Sequence, residues 1–438
     1  MISKANCIFV ASIAFALCYM SIDIFMINTG DFDRAILPFM NGINQFNTSD
    51  KLLFQMFPAF KGIFSYEYKS SLSYILYAYA SFISLFTHTF DLRIWAALCK
   101  IAYVFILYWL YTEFLSKKNT IATLAFPVVA VILFTPSIVS QFASFYQDQV
   151  VVTLLPLSII LSLKAEESKK AYVAMIITAG VIATAKSQFF YYPIIISIAF
   201  LIFRKNKSIK LHAPLIACAI IGLIFVAMSP SATKNNNYHS LYFGSLLYNK
   251  INGIDNPEWV NKDCIGIDSW GNEFDTERGA KATDIGGKCL EESNGQGIKE
   301  SVMIYLSNPI SIIKLPFDKA VKTQFTEDYF HVYKVIKLIK GEGHILDKIE
   351  NFKEKTIKEY RFIICMAVLI SSIILRNRRY SFIAFTISAF SISQFYISFI
   401  GEGFRDLNKH LFAMNYSSDL LIFTMIAMVL SFIFRKIK

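Results

Sequence analysis

Long apolar stretches recur along this chain, and short polar turns separate them. The clearest apolar stretches span residues 8–27, 95–115, 211–228, 382–400 and 411–434. A helix of about 20 apolar residues is long enough to cross a lipid bilayer. The pattern therefore predicts an all-α polytopic membrane protein.

Composition agrees with the pattern, and the positions of the cations predict an orientation. Only 17% of the residues are charged and 55% are hydrophobic, whereas about 25% of residues are charged in an average soluble domain. The net charge of +11 does not gather on one soluble face, so binding to nucleic acid is not indicated. The cations lie in turns at 116–119, 164–170, 204–210, 376–379 and 435–438, and basic turns mark the cytoplasmic side.

If these basic turns lie on the cytoplasmic side, the pattern predicts ten transmembrane spans, with both termini in the cytoplasm. They are expected near residues 7–27, 93–115, 120–135, 150–163, 171–186, 188–203, 211–228, 361–375, 380–400 and 411–434. This divides the chain into three parts. They are an N-terminal transmembrane module (1–228, spans 1–7), a large periplasmic loop region (229–360) and a C-terminal transmembrane module (361–438, spans 8–10).

One apolar run, at residues 72–86, does not fit this count of spans. Treating it as a span would place a basic turn outside or the first polar loop inside. It has only 15 residues and is rich in Ser and Tyr, and runs of this length are more typical of interfacial or re-entrant helices. We expect a re-entrant or juxtamembrane helix inside the first periplasmic loop, which covers residues 28–93.

Several ionisable residues are predicted at the outer ends of spans, where a lipid headgroup can meet a water-soluble group. Asp31, Asp33 and Arg34 follow the first span and could supply a general base with its orienting cation. A solvated helix cap would have the same spacing. Asp148 opens a later span, where an acid also interacts favourably with the helix dipole.

Two further groups of charges lie at the outer boundary. Lys186 interrupts an apolar stretch that runs from residue 171 to 203, so it either pairs with a lipid phosphate or snorkels to the surface. The turn at 401–410 also contains more charge than a solvated turn needs, and arginine is suited to bidentate binding of phosphate. Its candidate residues are Glu402, Arg405, Lys409 and His410.

The region 229–360 adds two histidines and two cysteines. His239 and His331 lie beside aromatic residues, and no His-x-x-His or Glu-x-x-His spacing joins them to a metal site. Cys264 and Cys289 share one polar stretch, and a periplasmic location would allow a disulfide between them. A metal site is the weaker alternative, because neither cysteine belongs to a Cys-x-x-Cys pair.

The order of these elements resembles that of membrane glycosyltransferases of the GT-C fold. An acid follows the first span, a short helix comes later in the same loop, a second acid opens the fourth span, and Thr-Ala-Lys ends the fifth at 184–186. A narrower likeness covers nearly the whole chain, which resembles the serotype-converting O-antigen glucosyltransferases of enterobacterial prophage gtr clusters. The stretches that carry it are NTGDFDRAI (28–36), YEYKSSLSYILYAY (66–79), ASFYQDQ (143–149), TAKSQF (184–189), YHSLYFGSLLY (238–248), DSWGNEFD (268–275), KLPFD (314–318), YFHVYK (329–334) and GEGFRDLNKHLF (401–412).

In that family the first motif reads Asn-Thr-x-Asp-Phe-x-Arg, so Asp31 and Arg34 match it and Asp33 falls on a variable position. Asp148 stands where relatives carry Glu. The resemblance implies a hexosyltransferase of the bacterial inner membrane that moves glucose from undecaprenyl-phosphate-glucose to the O-antigen repeat unit of lipopolysaccharide, still on its lipid carrier, at the periplasmic face. It also implies two companion proteins, a bactoprenol glucosyltransferase and a flippase.

We expect Asp31 to accept the proton of the acceptor hydroxyl while Lys186 and Arg405 stabilise the departing lipid phosphate, with inversion at the anomeric carbon. This scheme requires no cofactor and no metal, although it does not exclude the binding of a divalent ion. Two other classes also stay open. A transporter or flippase of polyprenyl-linked sugars would share the spans, but its site would lie near the midplane. A membrane acyltransferase modifying O-antigen would need a catalytic His or Ser, for which His239 and His410 are candidates.

Overall fold

A computed structural model describes residues 4–26, 31–40, 52–115, 120–204, 208–276, 279–283, 288–326, 345–374 and 378–436. Most of these residues are helical, as predicted. The helices are α1 Lys4–Met20, α2 Asp33–Ile36, α3 Ser71–Ile83, α4 Leu92–Thr112, α5 Thr120–Ala130, α6 Pro136–Phe142, α7 Asp148–Lys164, α8 Lys169–Ala183, α9 Tyr192–Phe203, α10 Ile209–Ala227, α11 Pro230–Ser240, α12 Leu246–Ile251, α13 Lys288–Glu292, α14 Ile298–Ser307, α15 Pro309–Lys314, α16 Lys319–Lys322, α17 Ile345–Ile357, α18 Arg361–Ile374, α19 Arg378–Glu402, α20 Leu407–His410 and α21 Phe412–Lys436.

Four helices within the described ranges are long and apolar enough to cross a membrane, namely α4, α10, α19 and the Phe412–Ile433 part of α21. Shorter apolar helices lie at Lys4–Met20, Ser71–Ile83, Thr120–Leu133 and Ser187–Phe203. Every one of the ten expected spans overlaps a helix. The helical architecture is therefore confirmed, while the number of crossings stays a prediction.

The helix α19 lies at the centre of the bundle. It contacts α9, α11, α18 and α21, whereas α7 lies between α4 and α8. In its most apolar window 67% of α19 is buried inside the protein, compared with 22% of α10. The side chains of α10 are consequently left largely uncovered by the protein, whereas most of α19 lies inside the bundle.

The apolar run 72–86 forms α3, a helix of 13 residues. The helix packs against α2 and α8. Two serines at its start donate hydrogen bonds to the end of α8, from Ser70 Oγ to Ala185 O (2.6 Å) and from Ser71 Oγ to Val181 O (2.7 Å). At 1.5 Å per residue such a helix covers about 20 Å, less than the roughly 30 Å of a hydrocarbon core. Its length fits a helix that does not cross.

The described part of the region 229–360 is folded and shares a second hydrophobic core with α19 and the loop that follows it. The buried aromatic residues of this second core include Tyr242, Phe243, Phe399 and Phe404. A disulfide joins Cys264 to Cys289 and closes a stretch that contains an antiparallel hairpin of β3 (Asn272–Asp275) and β4 (Gly279–Ala282). A second small sheet, β1 (Leu53–Gln55) with β2 (Thr89–Asp91), closes the first polar loop.

Candidate functional site

The first polar loop brings its acid and its cation together just before and within α2. Arg34 Nη1 lies 3.2 Å from Asp31 Oδ1, because residues three apart share one face of a helical turn. The guanidinium of Arg34 also lies 5.5 Å from the ring centre of Tyr68. Asp31 therefore has one cation fixed beside it by local geometry alone.

A second cation reaches Asp31 from the other end of the chain. Lys409 Nζ lies 3.0 Å from Asp31 Oδ2 and 3.7 Å from Asp406. Burial alone would raise the pKa of Asp31, but Lys409 and Arg34 outweigh it and hold that pKa well below its usual range. The same contacts, with Asp31 and Asp406, outweigh burial and raise the pKa of Lys409. Both groups are charged at neutral pH.

A glycine makes this approach of the last loop possible. Gly403 has a φ of +63°, and a Cβ there would clash with the carbonyl oxygen of Phe243. Phe404 N then donates to the same oxygen at 2.9 Å. Only glycine fits a backbone contact this close. The end of α19 is thereby fixed against residues 241–245, and the loop that follows turns back towards α2.

His410 is held between an acid and an amide. Its Nε2 lies 2.7 Å from Glu402 Oε2, and its Nδ1 lies 3.1 Å from Gln188 Nε2. An amide nitrogen can only donate, so Nδ1 accepts and the ring proton is assigned to Nε2. Gln188 is in turn fixed through its backbone carbonyl oxygen, which accepts from Gln394 Nε2 at 2.9 Å. Both ring nitrogens of His410 are thus engaged.

Lys186 and Asp148 form a pair of their own. Lys186 Nζ lies 2.9 Å and 3.1 Å from the two carboxylate oxygens of Asp148, the first residue of α7. The next residue, Ser187, donates its N–H to the hydroxyl of Tyr68 at 3.1 Å. Tyr68 therefore links this pair to Arg34 and Asp31.

The last loop also meets the hairpin segment. Arg405 Nε lies 3.3 Å from Asp268 Oδ2, and its guanidinium lies 5.1 Å from the ring centre of Trp270. The ring of His239 lies 4.9 Å from that of Trp270. Burial, which outweighs the acids around it, lowers the pKa of His239 to about 4, so the ring is neutral at pH 7.

These contacts form one continuous group of side chains, which we call the polar site. Its members are Asp31, Arg34, Tyr68, Asp148, Lys186, Gln188, His239, Asp268, Trp270, Glu402, Arg405, Asp406, Lys409 and His410. Eight candidates singled out in the sequence lie in this group, together with Asp148 at its edge. Asp33 opens α2 beside it, while His331 lies outside the described residues.

Five members of the polar site were not singled out from the sequence. They are Tyr68, Gln188, Asp268, Trp270 and Asp406. Each lies within one of the stretches that carry the resemblance, so the motif stretches themselves were the available signal. Tyrosines and tryptophans are too common in this chain for their position alone to mark a site.

Metal ligands are not grouped at the polar site in the described ranges. Among the described residues, the three potential ligands that lie close together are Cys264, Cys289 and Glu292, outside the polar site. Since the two sulfurs form a disulfide, they are not thiolates that could bind an ion. The disulfide is the alternative that the structure contains.

Comparison with known proteins identifies a family. Residues 2–263 and 328–437 match the family described as the YfdI N-terminal transmembrane domain. The chain belongs to this family. It is also 37% identical, over 425 residues, to a protein of Escherichia coli (strain K12) that is named uncharacterized protein YfdI. That similarity covers 97% of this chain and 96% of the relative. No solved structure matches the chain.

Membership of this family and the apolar helices together show a membrane protein with transmembrane helices. The two matched ranges contain most of the polar site, including Asp31, Lys186, His239, Glu402 and Lys409. The ranges omit residues 264–327, which contain Asp268 and Trp270.

Proposed function

We propose that this protein is a membrane glucosyltransferase with a GT-C-like fold. In this proposal it transfers glucose from undecaprenyl-phosphate-glucose to the O-antigen repeat unit of lipopolysaccharide, at the periplasmic face of the bacterial inner membrane. The observation that carries the proposal is the contact between Asp31 and Lys409, which are 378 residues apart in sequence. It places a carboxylate and several cations together at the ends of apolar helices.

Glycosyl transfer from a lipid phosphate needs this combination. A carboxylate must accept the proton of the acceptor hydroxyl, and positive charge must stabilise the phosphate as the bond from the anomeric carbon to the phosphate oxygen breaks. The new bond joins the acceptor oxygen to the anomeric carbon, with inversion, and undecaprenyl phosphate leaves. Asp31 retains 19% exposure of its side chain, so a substrate hydroxyl can reach it.

The geometry refines the role of each cation. Lys186 and Arg405 contact Asp148 and Asp268, whereas Arg34 and Lys409 are the cations that touch the proposed base. A carboxylate held by two cations is a weak base. A lipid phosphate that draws Lys409 or Arg34 towards itself would raise the pKa of Asp31, so binding of the donor would activate the base.

Lys186 remains the proposed contact for a phosphate that arrives from the bilayer. It lies between α8 and α9 at the end of apolar helices, and its side chain is 12% exposed. Its partner Asp148 at the start of α7 would hold the ammonium in place until a phosphate binds. A cation at the boundary of the hydrocarbon region is typically functional or paired.

An acyltransferase is the second candidate, because Glu402 and His410 form the acid–histidine pair that such an enzyme needs. However, Gln188 occupies the other ring nitrogen, Nδ1, at 3.1 Å. A histidine whose two nitrogens are both engaged has none left to activate an acceptor. The pair is better explained as a support that fixes the loop bearing Lys409.

The test is in vitro transfer of glucose by purified protein in detergent, with Asp31→Asn compared with Asp33→Asn. Proton removal by a positioned base contributes about 10²- to 10⁴-fold, so Asp31→Asn should lower kcat by that factor. Asp33→Asn is the matched control, because Asp33 lies two residues after Asp31 at the start of α2, and its kcat should stay within about threefold of the wild type. If Asp31→Asn transfers glucose at the normal rate, Asp31 is not the base.

A further inference from the structure

Trp270 is a large aromatic side chain that the fold holds out at the edge of the polar site. Its side chain is 56% exposed, although its ring lies against Arg405 and His239. Asp268 Oδ1 accepts hydrogen bonds from the N–H groups of Trp270 (2.9 Å) and Asn272 (2.8 Å). Gly271, with a φ of +77°, completes the tight turn. The turn that carries the exposed ring is therefore fixed by hydrogen bonds.

Beside this ring lies a buried donor that has no acceptor within the described ranges. His239 is fully buried, and its Nε2 accepts from the N–H of Ser269 at 3.0 Å. The proton of the neutral ring is consequently on Nδ1, which finds no hydrogen-bond partner among the described residues. Ser269 is 8% exposed, and its hydroxyl likewise finds no hydrogen-bond partner among the described residues. A buried polar group without a partner calls for an explanation, such as a ligand or an ordered water.

The position of Trp270 relative to the family is also informative. Asp31, Arg34, Lys186, Glu402 and Lys409 fall within the matched ranges, whereas Trp270 falls in residues 264–327, which the match omits. The same segment is closed by the disulfide between Cys264 and Cys289. The residues proposed to bind the donor and to act as the base thus lie inside the family match, and the ring lies outside that match.

We propose that Trp270, His239 and Ser269 form the subsite for a pyranose ring of the acceptor glycan and so determine which acceptor is used. This inference rests on the proposed function. The exposed face of an indole ring is a large apolar platform that suits the C–H face of a sugar. The Nδ1–H of His239 and the hydroxyl of Ser269 supply the few polar groups that orient a ligand. Arg405 connects the subsite to the loop that carries Lys409.

A sugar fits these groups better than an acyl chain or a phosphate does. An acyl chain would leave the donors of His239 and Ser269 unpaired, which costs binding free energy. A phosphate could pair with Arg405 but would leave the apolar face of the indole ring uncovered. A ring with one apolar face and hydroxyls at its edge satisfies all three side chains.

The test measures binding of O-antigen oligosaccharide, released by mild acid from the lipopolysaccharide of the host strain, to the full chain in detergent without donor. Isothermal titration calorimetry compares the wild type with Trp270→Ala, Trp270→Phe and Trp259→Ala. Trp259 is the matched control, because its side chain is 49% exposed in the same region. We expect a rise in Kd of at least about tenfold for Trp270→Ala, a smaller rise for Trp270→Phe and no change for Trp259→Ala.

Transfer assays on the same variants separate this inference from the proposed function. The KM for the acceptor should rise in Trp270→Ala while the KM for the donor stays unchanged. A wild type that binds the oligosaccharide through Trp270 but transfers no glucose would overturn the proposed function and support the subsite. A wild type that transfers glucose, with an unchanged acceptor KM and Kd in Trp270→Ala, would overturn the subsite alone. Equal losses in Trp270→Ala and Trp259→Ala would also overturn it.

Discussion

Two groups of buried charges in this molecule differ in their access to solvent. In the polar site, the side chains of Lys409 and Asp31 are 13% and 19% exposed. In a second group, which we call the sealed cluster (Lys353, Arg361 and Asp419), Lys353 Nζ lies 2.6 Å from Asp419, and the side chains of all three residues are at most 2% exposed. Arg361 contacts Glu354 at 3.0 Å and Asp419 at 3.7 Å.

The difference teaches how a structural network can be told from a candidate site. The sealed cluster joins α17, α18 and α21, and its charges are closed off from water, so it can hold helices together but cannot meet a substrate. The polar site differs in the partial exposure of Lys409 and Asp31, and it also contains the Nδ1–H of His239, which has no partner within the described part of the chain. Accessibility and unused hydrogen-bonding groups, rather than charge, mark the site.

The largest expected effect is on the sealed cluster. Asp419→Ala removes the carboxylate that both Lys353 and Arg361 contact, so it should lower the free energy of unfolding by about 3–5 kcal/mol. Thermal unfolding in detergent measures the loss. The exposed pair of Arg93 with Asp91 supplies the control, because Arg93→Ala should cost less than about 1 kcal/mol. Equal effects of the two substitutions would contradict the comparison.

A somewhat smaller effect is expected from His239 when the pH is lowered. The unfolded side chain binds a proton below pH 6.5, whereas in the folded protein burial holds the pKa at about 4. Stability is therefore lost as the pH falls from about 6.5 to about 4, by about 3 kcal/mol in total. His239→Asn removes this titration.

Unfolding curves at pH 7 and pH 4.5, recorded for the wild type and His239→Asn, check the prediction. The variant should lose less stability than the wild type over this interval. A wild type and a variant that lose the same amount would show that His239 titrates normally in the folded protein. The Nδ1–H of His239 would then no longer distinguish the polar site from the sealed cluster.

The smallest expected effect is on binding of the lipid donor. Lys186→Ala should weaken binding of undecaprenyl-phosphate-glucose by about 10- to 100-fold, which corresponds to about 1.4–2.7 kcal/mol. Lys69→Ala is a matched control, because Lys69 contacts only backbone carbonyls through its ammonium among the described residues. Unchanged affinity in Lys186→Ala, measured with donor incorporated in micelles, would remove its role at the phosphate.

Much of the candidate site could be anticipated from sequence because ionisable residues are rare next to long apolar runs. Asp31, Lys186, Arg405 and Lys409 stand out for that reason, and they do lie in one group of contacts. Trp270 and Tyr68 could not be chosen in this way, since the chain contains 23 tyrosines and 4 tryptophans. Nor did hydropathy point to Lys353 or Asp419, whose burial depends on helices that pack around them.

The sequence by itself determined the helical membrane architecture, because transfer of apolar side chains from water to lipid depends on local composition and length. It also determined that α3 is too short to be an ordinary span. Only the tertiary structure decided that Asp31 pairs with Lys409, that Lys186 pairs with Asp148, and that Trp270 lies against Arg405. Such pairings depend on distances of a few ångströms between segments far apart in the chain, and only the packing of helices and loops in the folded protein fixes those distances.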